Sequence, residues 1–143
     1  MKNQYSTTGL FRTLAESSSI HKALEAVGSG MDLQRYLNDL LEEAHLDIPM
    51  LAIRMLASRS FVYQIFDGTR KPGRETLIRM AFALQLSLPQ TQRLLSLARR
   101  GPLYPRIRRD AAIIYAIEHE YTLMQADEAL FSVHELPLLE PIE

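Results

Sequence analysis

Apolar residues recur at helical spacing along most of the chain, and this pattern predicts an all-α fold. In residues 32–45 the apolar positions repeat every three or four residues behind Asp32, a residue type that caps helix N-termini. A turn at Leu46 and Asp47 follows, and Pro49 then suits the first turn of another short helix. The spacing therefore predicts two helices joined by a turn.

The stretch from Ser58 to Arg74 carries the clearest local signals. Ser58 can cap a helix of eight residues whose apolar side consists of Val62, Ile65 and Phe66. Gly68 follows at a point where helices commonly need a left-handed residue, and residues 69–72, Thr-Arg-Lys-Pro, then form a basic turn. A short capped helix with a polar first turn, followed by this basic turn, suits a helix presented to a DNA groove. A surface helix of an ordinary bundle is the alternative.

Two further helix pairs are predicted after the basic turn. Pro72 can open the first pair, residues 75–85 and 88–100, which Gly101 and the prolines after it end. Residues 107–133 form the second pair, and the rest of the chain is Pro-rich, acidic and predicted to be extended.

The two pairs resemble each other at an offset of 35 residues. Segment 77–96 aligns with segment 112–131, so that Ser87 matches Thr122 and Gln90 matches Gln125. Both segments read as a helix, a Ser or Thr cap and a second helix. Duplication would explain the similarity, and so would the sequence pattern that helical hairpins have in common.

The N-terminal segment is predicted to be a helical arm. Leu10 and Leu14 lie on one helical face, and the serine run 17–19 can cap a second helix from Ile20 to Val27, which the Gly-Ser-Gly sequence at 28–30 ends. The predicted organisation is thus an arm (1–31), a five-helix domain (32–100) and a C-terminal helical pair with an acidic tail (101–143).

The charge distribution changes the picture that the near-neutral total of −1 gives. Residues 1–53 carry a net charge of −3, residues 54–109 carry +10 and residues 110–143 carry −8. The strongly basic middle coincides with the capped helix and the basic turn, and it favours an anionic partner such as nucleic acid.

Other functional classes have little support in the sequence. The 143 residues include no cysteine, which excludes disulfides and thiolate metal sites and fits a cytoplasmic protein. No apolar run is long enough to span a membrane, and the start lacks the apolar core of a signal peptide. The four histidines, at 21, 45, 119 and 134, have no ligand spacing, and no phosphate loop or nucleophile elbow occurs. We therefore expect no enzyme activity, no catalytic residue, no metal and no cofactor.

The residues of the middle segment resemble the Xre/Cro family of phage-repressor-like helix-turn-helix proteins. The core resemblance covers about residues 32–98, with its best marks in Leu51-Ala52 and in the run from Val62 to Pro72, VYQIFDGTRKP. A narrower bacterial subgroup of this family has an added C-terminal helical pair. Its members are similar to this chain in the segment YQIFDGTRKPGRETL and in the later segments LSLPQTQRLLSLA and LYPRIRRDAAIIYAI. Some genes of that subgroup lie near protein-kinase genes, which implies a signalling context.

The resemblance implies which residues would contact double-stranded DNA. By the family's geometry, the residues that face the major groove to read bases are Arg59, Ser60, Tyr63 and Gln64. The residues expected at phosphates are Ser58, Arg70, Lys71 and Arg74. A core or interface aromatic is the alternative for Tyr63, and a solvated turn is the alternative for Arg70 and Lys71.

Three positions depart from the family's pattern. Ile48 and Pro49 stand where many members have a phosphate-contacting Gln, and Leu56 stands where many have Gly in the turn between the two helices. Phe66 and Leu41 replace a buried Glu–Arg pair, a change that is often neutral or stabilising.

Two functional hypotheses follow. The first is a sequence-specific, homodimeric transcription regulator, with a self-association surface in residues 107–133 that uses Leu123, Leu130 and Phe131. The second is a protein-interaction adaptor on a repurposed helix-turn-helix scaffold, whose partner would be a kinase or another regulator. A second arginine cluster, between Arg99 and Arg109, would extend the DNA footprint, hold a phosphate or nucleotide, or pair with the acidic tail, and we favour the last.

Overall fold

A computed structural model describes residues 7–27 and 32–139 of the chain. All regular secondary structure in these two ranges is α-helical, so the predicted all-α class is confirmed. The helices are α1 (Thr7–Glu16), α2 (Ile20–Val27), α3 (Leu33–Glu43), α4 (Ile48–Met55), α5 (Arg59–Phe66), α6 (Arg74–Ala83), α7 (Leu88–Leu97), α8 (Arg108–Glu118) and α9 (Leu123–Ser132). Among the described residues, no helix has the length and apolar character needed to cross a membrane.

The chain forms two compact units, which divide between Asp32 and Leu33. In the first unit, α1 and α2 pack against each other. The hydroxyl of Ser19 accepts a hydrogen bond from the backbone N–H of Lys22 at 3.1 Å, so the serine run caps α2 as predicted. The predicted joint at 28–30 lies outside the described residues.

The second unit includes the segment 101–143, which the sequence predicts as a separate C-terminal part. Within this unit α8 contacts α7, and α9 contacts α6. The connecting residues are also fixed, because the side-chain amide of Gln92 donates to the carbonyl of Leu103 at 2.9 Å and accepts from its N–H at 2.7 Å. The side chain of Leu103 is buried. Residues 101–105 therefore belong to the packed structure and do not act as a linker between domains.

Helix α6 is the central helix of this unit. It contacts α4, α7 and α9, and every residue from Thr76 to Ala83 is buried. The sequence predicts the burial of Leu77, Ile78, Ala81 and Phe82, but not that of Arg79 on the same helix. Burial lowers the pKa of Arg79, while the carboxylate of Asp127 acts on it in the opposite direction.

Four turns between helices share one backbone conformation. Each contains a non-glycine residue with a left-handed φ of 57° or 58°, followed two residues later by a helix N-cap: His45 and Asp47, Leu56 and Ser58, Gln85 and Ser87, Glu120 and Thr122. In each turn the residue between these two donates its N–H to a carbonyl five residues earlier, which satisfies the end of the preceding helix.

These turns account for the 35-residue similarity. Ser87 and Thr122 both form capping boxes, with Gln90 and Gln125 respectively, so the aligned segments do fold alike. However, the same turn also occurs at His45, outside the aligned segments. A shared turn chemistry that recurs along the chain therefore explains the similarity without duplication.

Several predicted helix ends are wrong by two or three residues. Helix α3 ends at Glu43 and α7 at Leu97, because the left-handed residues His45 and Arg99 stop them. Helix α6 ends at Ala83, two residues before the predicted end at Gln85, which is itself left-handed, while its start at Arg74 behind the N-cap Gly73 lies one residue from the predicted start. The sequence pattern shows the apolar period but not the change in φ that ends it.

We predict that Leu56→Gly raises the free energy of unfolding by up to about 1 kcal/mol, because the left-handed conformation strains a residue that has a Cβ. The Leu56 side chain is exposed, so its removal costs little packing. Urea unfolding of the wild type, Leu56→Gly and Leu56→Ala measures the effect. The alanine variant keeps the Cβ and should show no gain, and an equal gain in both variants would show that strain is not the cause.

Candidate nucleic-acid interface

Helix α5 is fixed through one face. Its N-cap Ser58 has an extended backbone and accepts a hydrogen bond from the N–H of Phe61 at 3.1 Å, as predicted. Val62, Ile65 and Phe66 are buried, which confirms the helical spacing, and Phe61 is buried with them. Contacts with α3 and α4 hold the helix in place. The direction of α5 is therefore set by the core of the second unit.

The opposite side of α5 carries the four side chains assigned to base reading, which we call the reading face: Arg59, Ser60, Tyr63 and Gln64. Arg59 and Ser60 are exposed and Gln64 is half-buried. Tyr63 is 46% exposed, so it is not a core residue. The spacing of these residues puts them on one side of the helix, in contact with solvent.

Gln64 of the reading face is bonded to Arg70 of the basic turn. The N–H of Arg70 donates to the backbone carbonyl of Gln64 at 3.1 Å, and Arg70 Nε donates to Gln64 Oε1 at 3.0 Å. The guanidinium also lies over the ring of Phe61, 5.1 Å from its centroid. The sequence predicts separate roles for Gln64 and Arg70, whereas in the structure the two side chains form one unit.

The chain reverses between α5 and the basic turn with the help of two residues. Gly68 has a φ of 84°, and a Cβ at this position would lie 3.6 Å from the side chain of Gln34. Asp67 Oδ1 accepts a hydrogen bond from the N–H of Thr69 at 2.8 Å. The hydrogen bonds from the Thr69 side chain and backbone lower the pKa of Asp67. This local network fixes the backbone between the end of α5 and the basic turn.

Of the predicted phosphate contacts, Lys71 is exposed but Arg74 is bonded within the chain. Arg74 Nη1 and Nη2 donate to the two carboxylate oxygens of Asp110 at 3.2 and 2.8 Å. Its Nε donates to the carbonyl of Gly101, and Nη2 also donates to that of Pro102. A guanidinium with these partners does not support a phosphate role, and we remove Arg74 from the candidate interface.

The second arginine cluster pairs largely with the C-terminal segment. Arg108 donates to Glu135 Oε2 at 2.6 Å. Arg109 donates to the carbonyl of Leu136 at 2.9 Å and forms two hydrogen bonds of 2.8 Å with Glu75. The hydrogen bonds that Arg109 donates to the carboxylate of Glu75 are the main reason that the pKa of Arg109 is raised. Ion pairing with an acid of the C-terminal segment is therefore confirmed for Arg108, whereas Arg109 pairs with Glu75 of α6 and contacts that segment only through backbone carbonyls.

A half-open cavity of about 420 Å³ lies at the C-terminal end of α6, which is the end farther from the basic turn in the chain. Its walls come from the C-terminal ends of α6 and α8, the start of α7 and the turn after α8, and α5 and the basic turn do not line it. Among residues 7–27 and 32–139, no group of three or more His, Asp or Glu side chains could hold a metal ion. The reading face is thus the polar surface whose residues are assigned from the sequence and lie together in the structure.

Comparison with known proteins provides no relative for this chain. No protein-family model matches it, and neither does any curated protein or solved structure. The resemblance to the Xre/Cro family therefore rests on the sequence motifs alone, and the functional interpretation rests on the geometry of α5 and the basic turn.

We predict a pH dependence at Asp67. Since the folded state lowers its pKa, the carboxylate stabilises the fold at pH values above its unfolded pKa of about 3.9, and this contribution disappears as the pH falls through the folded value. Asp67→Ala should therefore be less stable than the wild type at pH 6, and the difference should shrink towards pH 2. Urea unfolding at both pH values measures it. Thr69→Val, which keeps the backbone donor, should show a smaller pH-dependent loss, and a loss independent of pH would contradict the assignment.

Proposed function

We propose that this protein is a sequence-specific DNA-binding regulator of transcription, in which α4 and α5 form a helix-turn-helix and α5 enters the major groove. The observation that supports this is the reading face: α5 buries its apolar side and exposes Arg59, Ser60 and Tyr63, with the basic turn directly after it. In this interpretation α3–α7 are the five helices of a phage-repressor-like domain.

The dimensions and residue types of α5 suit this role. An α-helix with its side chains is about 10–12 Å across, close to the width of about 12 Å of the B-DNA major groove, so α5 can lie in the groove. Arg59 can donate two hydrogen bonds to guanine, and Gln64 can both accept from and donate to adenine. The bond from Arg70 uses one lone pair of Gln64 Oε1 and leaves the second lone pair and the amide group for a base.

Phosphate contacts would come from both ends of α5. The Ser58 hydroxyl accepts the capping bond and still has its O–H to donate, and the backbone N–H groups at this helix N-terminus favour an anion. At the other end, Lys71 is exposed, and Arg70 is oriented by Gln64 and Phe61. Such contacts fix the register of the helix on the duplex without reading its sequence.

Two-fold DNA sites usually require a dimer, so we also propose a homodimer. The surface that the sequence assigns to it needs correction, because Leu123 and Leu130 are core residues, whereas Phe131 is 75% exposed. Deleting residues 107–143 would remove core side chains such as Leu130 and would not test dimerisation cleanly. Sedimentation of Phe131→Glu and Met124→Glu is the better test, and a shift from dimer to monomer is the expected result.

A protein-interaction adaptor is the second candidate, and one observation favours it. Helix α4 and the turn after it expose Met50, Ile53 and Leu56, of which Ile53 is 70% exposed. Exposed apolar side chains this close to α5 suit a protein partner, for example a kinase or another regulator. Ile53→Ser should leave DNA affinity unchanged whether or not α4 binds a protein partner. It would abolish binding of that partner only if α4 is the adaptor surface.

We predict that DNA binding depends strongly on salt. With two cationic side chains near phosphates, Arg70 and Lys71, log affinity should fall against log salt concentration with a slope near −2 per subunit, because each contact releases about 0.9 counterions. Fluorescence anisotropy with a labelled duplex between 50 and 200 mM salt (a range of about fourfold) measures the slope. An affinity that does not change with salt would rule out the proposal.

A second prediction separates base reading from phosphate binding. Arg59→Ala and Gln64→Ala should each cost roughly 1–3 kcal/mol on the preferred site and relax one base position. Lys71→Ala should weaken preferred and random duplexes equally. A binding-site selection followed by titration of both duplexes measures these effects.

The matched control for this series is Arg106→Ala, which removes one exposed positive charge outside α5 and the basic turn. It should leave both affinities close to those of the wild type. If Arg59→Ala weakened random DNA as much as the preferred site, the assignment of the reading face would be wrong. Gln64→Ala does not decide this point, because it also releases the Arg70 guanidinium of the basic turn.

A further inference from the structure

The basic turn is attached to the rest of the unit at both of its ends. At its start, Arg70 bonds to the backbone and side chain of Gln64. At its end, Arg100 Nε donates to the carbonyl of Pro72 at 3.1 Å, and Pro72 itself is buried. Lys71 lies between these two attachments and is exposed. The conformation of the turn therefore depends on residues outside the helix that it follows.

The strongest link to the turn comes from Asp110 in the first turn of α8. Its side chain is 3% exposed, and its carboxylate accepts two hydrogen bonds from Arg74 and one from the N–H of Tyr104 at 2.9 Å. Arg74 is the first residue of α6, and only Gly73 separates it from the basic turn. The N-terminal position in α8 favours the negative charge of Asp110 as well.

We infer that Asp110 is a positioning residue for DNA binding, and that it acts through Arg74 to hold Arg70 and Lys71 in place for phosphates. This inference rests on the proposed function. Asp110 never contacts the duplex, but it fixes the residue from which α6 starts and therefore where the basic turn ends. A turn that is already ordered loses less conformational freedom when DNA binds. The C-terminal helix pair is then part of the DNA-binding unit.

The neighbouring pair on α6 and α8 strengthens this view. Arg109, next to Asp110, bonds to Glu75, next to Arg74. Two successive residues of α6 are thus joined to two successive residues of α8. Each pair of residues is positive then negative along the chain, and the pairing is antiparallel. The start of α6 cannot slide along α8 by one residue without bringing like charges together, so the position of the basic turn has a single register.

Three variants test the inference. Asp110→Asn keeps the shape and an acceptor for Tyr104 but removes the charge that holds Arg74. Arg100→Gln removes the second attachment at a more exposed position. Arg108→Gln is the matched control, because it breaks an ion pair of the same helix that leads to Glu135 and not to the turn.

The first measurement does not need DNA. Hydrogen exchange of the Arg70 amide, which bonds to the carbonyl of Gln64, should be about tenfold faster in Asp110→Asn and Arg100→Gln than in the wild type, while amides of α5 exchange as before. In Arg108→Gln it should not change. A purely structural role would raise exchange throughout the unit and not in the turn selectively.

The second measurement is binding to a random duplex, at a temperature where circular dichroism shows every variant folded. Asp110→Asn and Arg100→Gln should bind about fivefold more weakly, with a salt slope shallower by about one per subunit, whereas Arg108→Gln should match the wild type. Unchanged affinity and slope in both turn variants would overturn the inference, as would an equal loss in the control.

The outcomes separate this inference from the proposed function. If the wild type binds no DNA, the proposed function fails, and selective exchange at Arg70 then shows whether Asp110 positions the turn for another ligand. If the wild type binds and the turn variants bind equally well, only the inference fails. Should Asp110→Asn not fold, Arg74→Lys, which keeps the positive charge but cannot make the two-pronged bond to Asp110, decides by the same two measurements.

Discussion

The second unit depends on the burial of α6 beyond its first two residues. Because every residue from Thr76 to Ala83 is buried, this part of the helix offers no solvent-facing side, and its neighbours have to enclose it. The burial of so much apolar surface stabilises the unit, but it also encloses Arg79, whose charge is tolerated only with a carboxylate such as that of Asp127 nearby. The enclosed helix is then a rigid support for whatever is attached to its ends.

Both ends of α6 continue into surface features. Its C-terminal end borders the half-open cavity, while the basic turn leads directly into its N-terminal end. The two ion pairs at that N-terminal end differ in strength. Glu75 is partly exposed, so its pair with Arg109 is screened by solvent, whereas breaking the pair with the buried carboxylate of Asp110 would leave a charge without compensation. The link through Arg74 is therefore the one that matters most for the fold.

Local sequence signals predicted most of the fold. The apolar spacing gave the helices, and the caps at Ser58, Ser87 and Thr122 are all present. The apolar residues Phe66 and Leu41 are both buried, as their helical spacing predicts. In contrast, the left-handed residues that end the helices, such as His45, are not signalled by glycine, so periodicity could not place those ends.

The site was predicted less completely, because its contacts join residues that are far apart in the chain. Periodicity identifies the outward side of α5 correctly, since that side is defined by its own helix. It cannot show that Arg74 meets a carboxylate 36 residues later, or that α9 turns Leu123 and Leu130 inward. Helical spacing predicts a face, whereas the element that covers this face is decided by the tertiary fold.

The bond between Gln64 and Arg70 has a consequence for how specificity could change in evolution. If α5 binds DNA as proposed, a substitution at Gln64 would alter the group that meets a base and, at the same time, release the Arg70 guanidinium that Gln64 orients. New base preferences at this position would therefore come with weaker general affinity unless a second change compensated for it. Arg59 has no such coupling to the basic turn. Substitutions in the first turn of α5 should therefore change the preferred DNA sequence more readily than substitutions in its last turn.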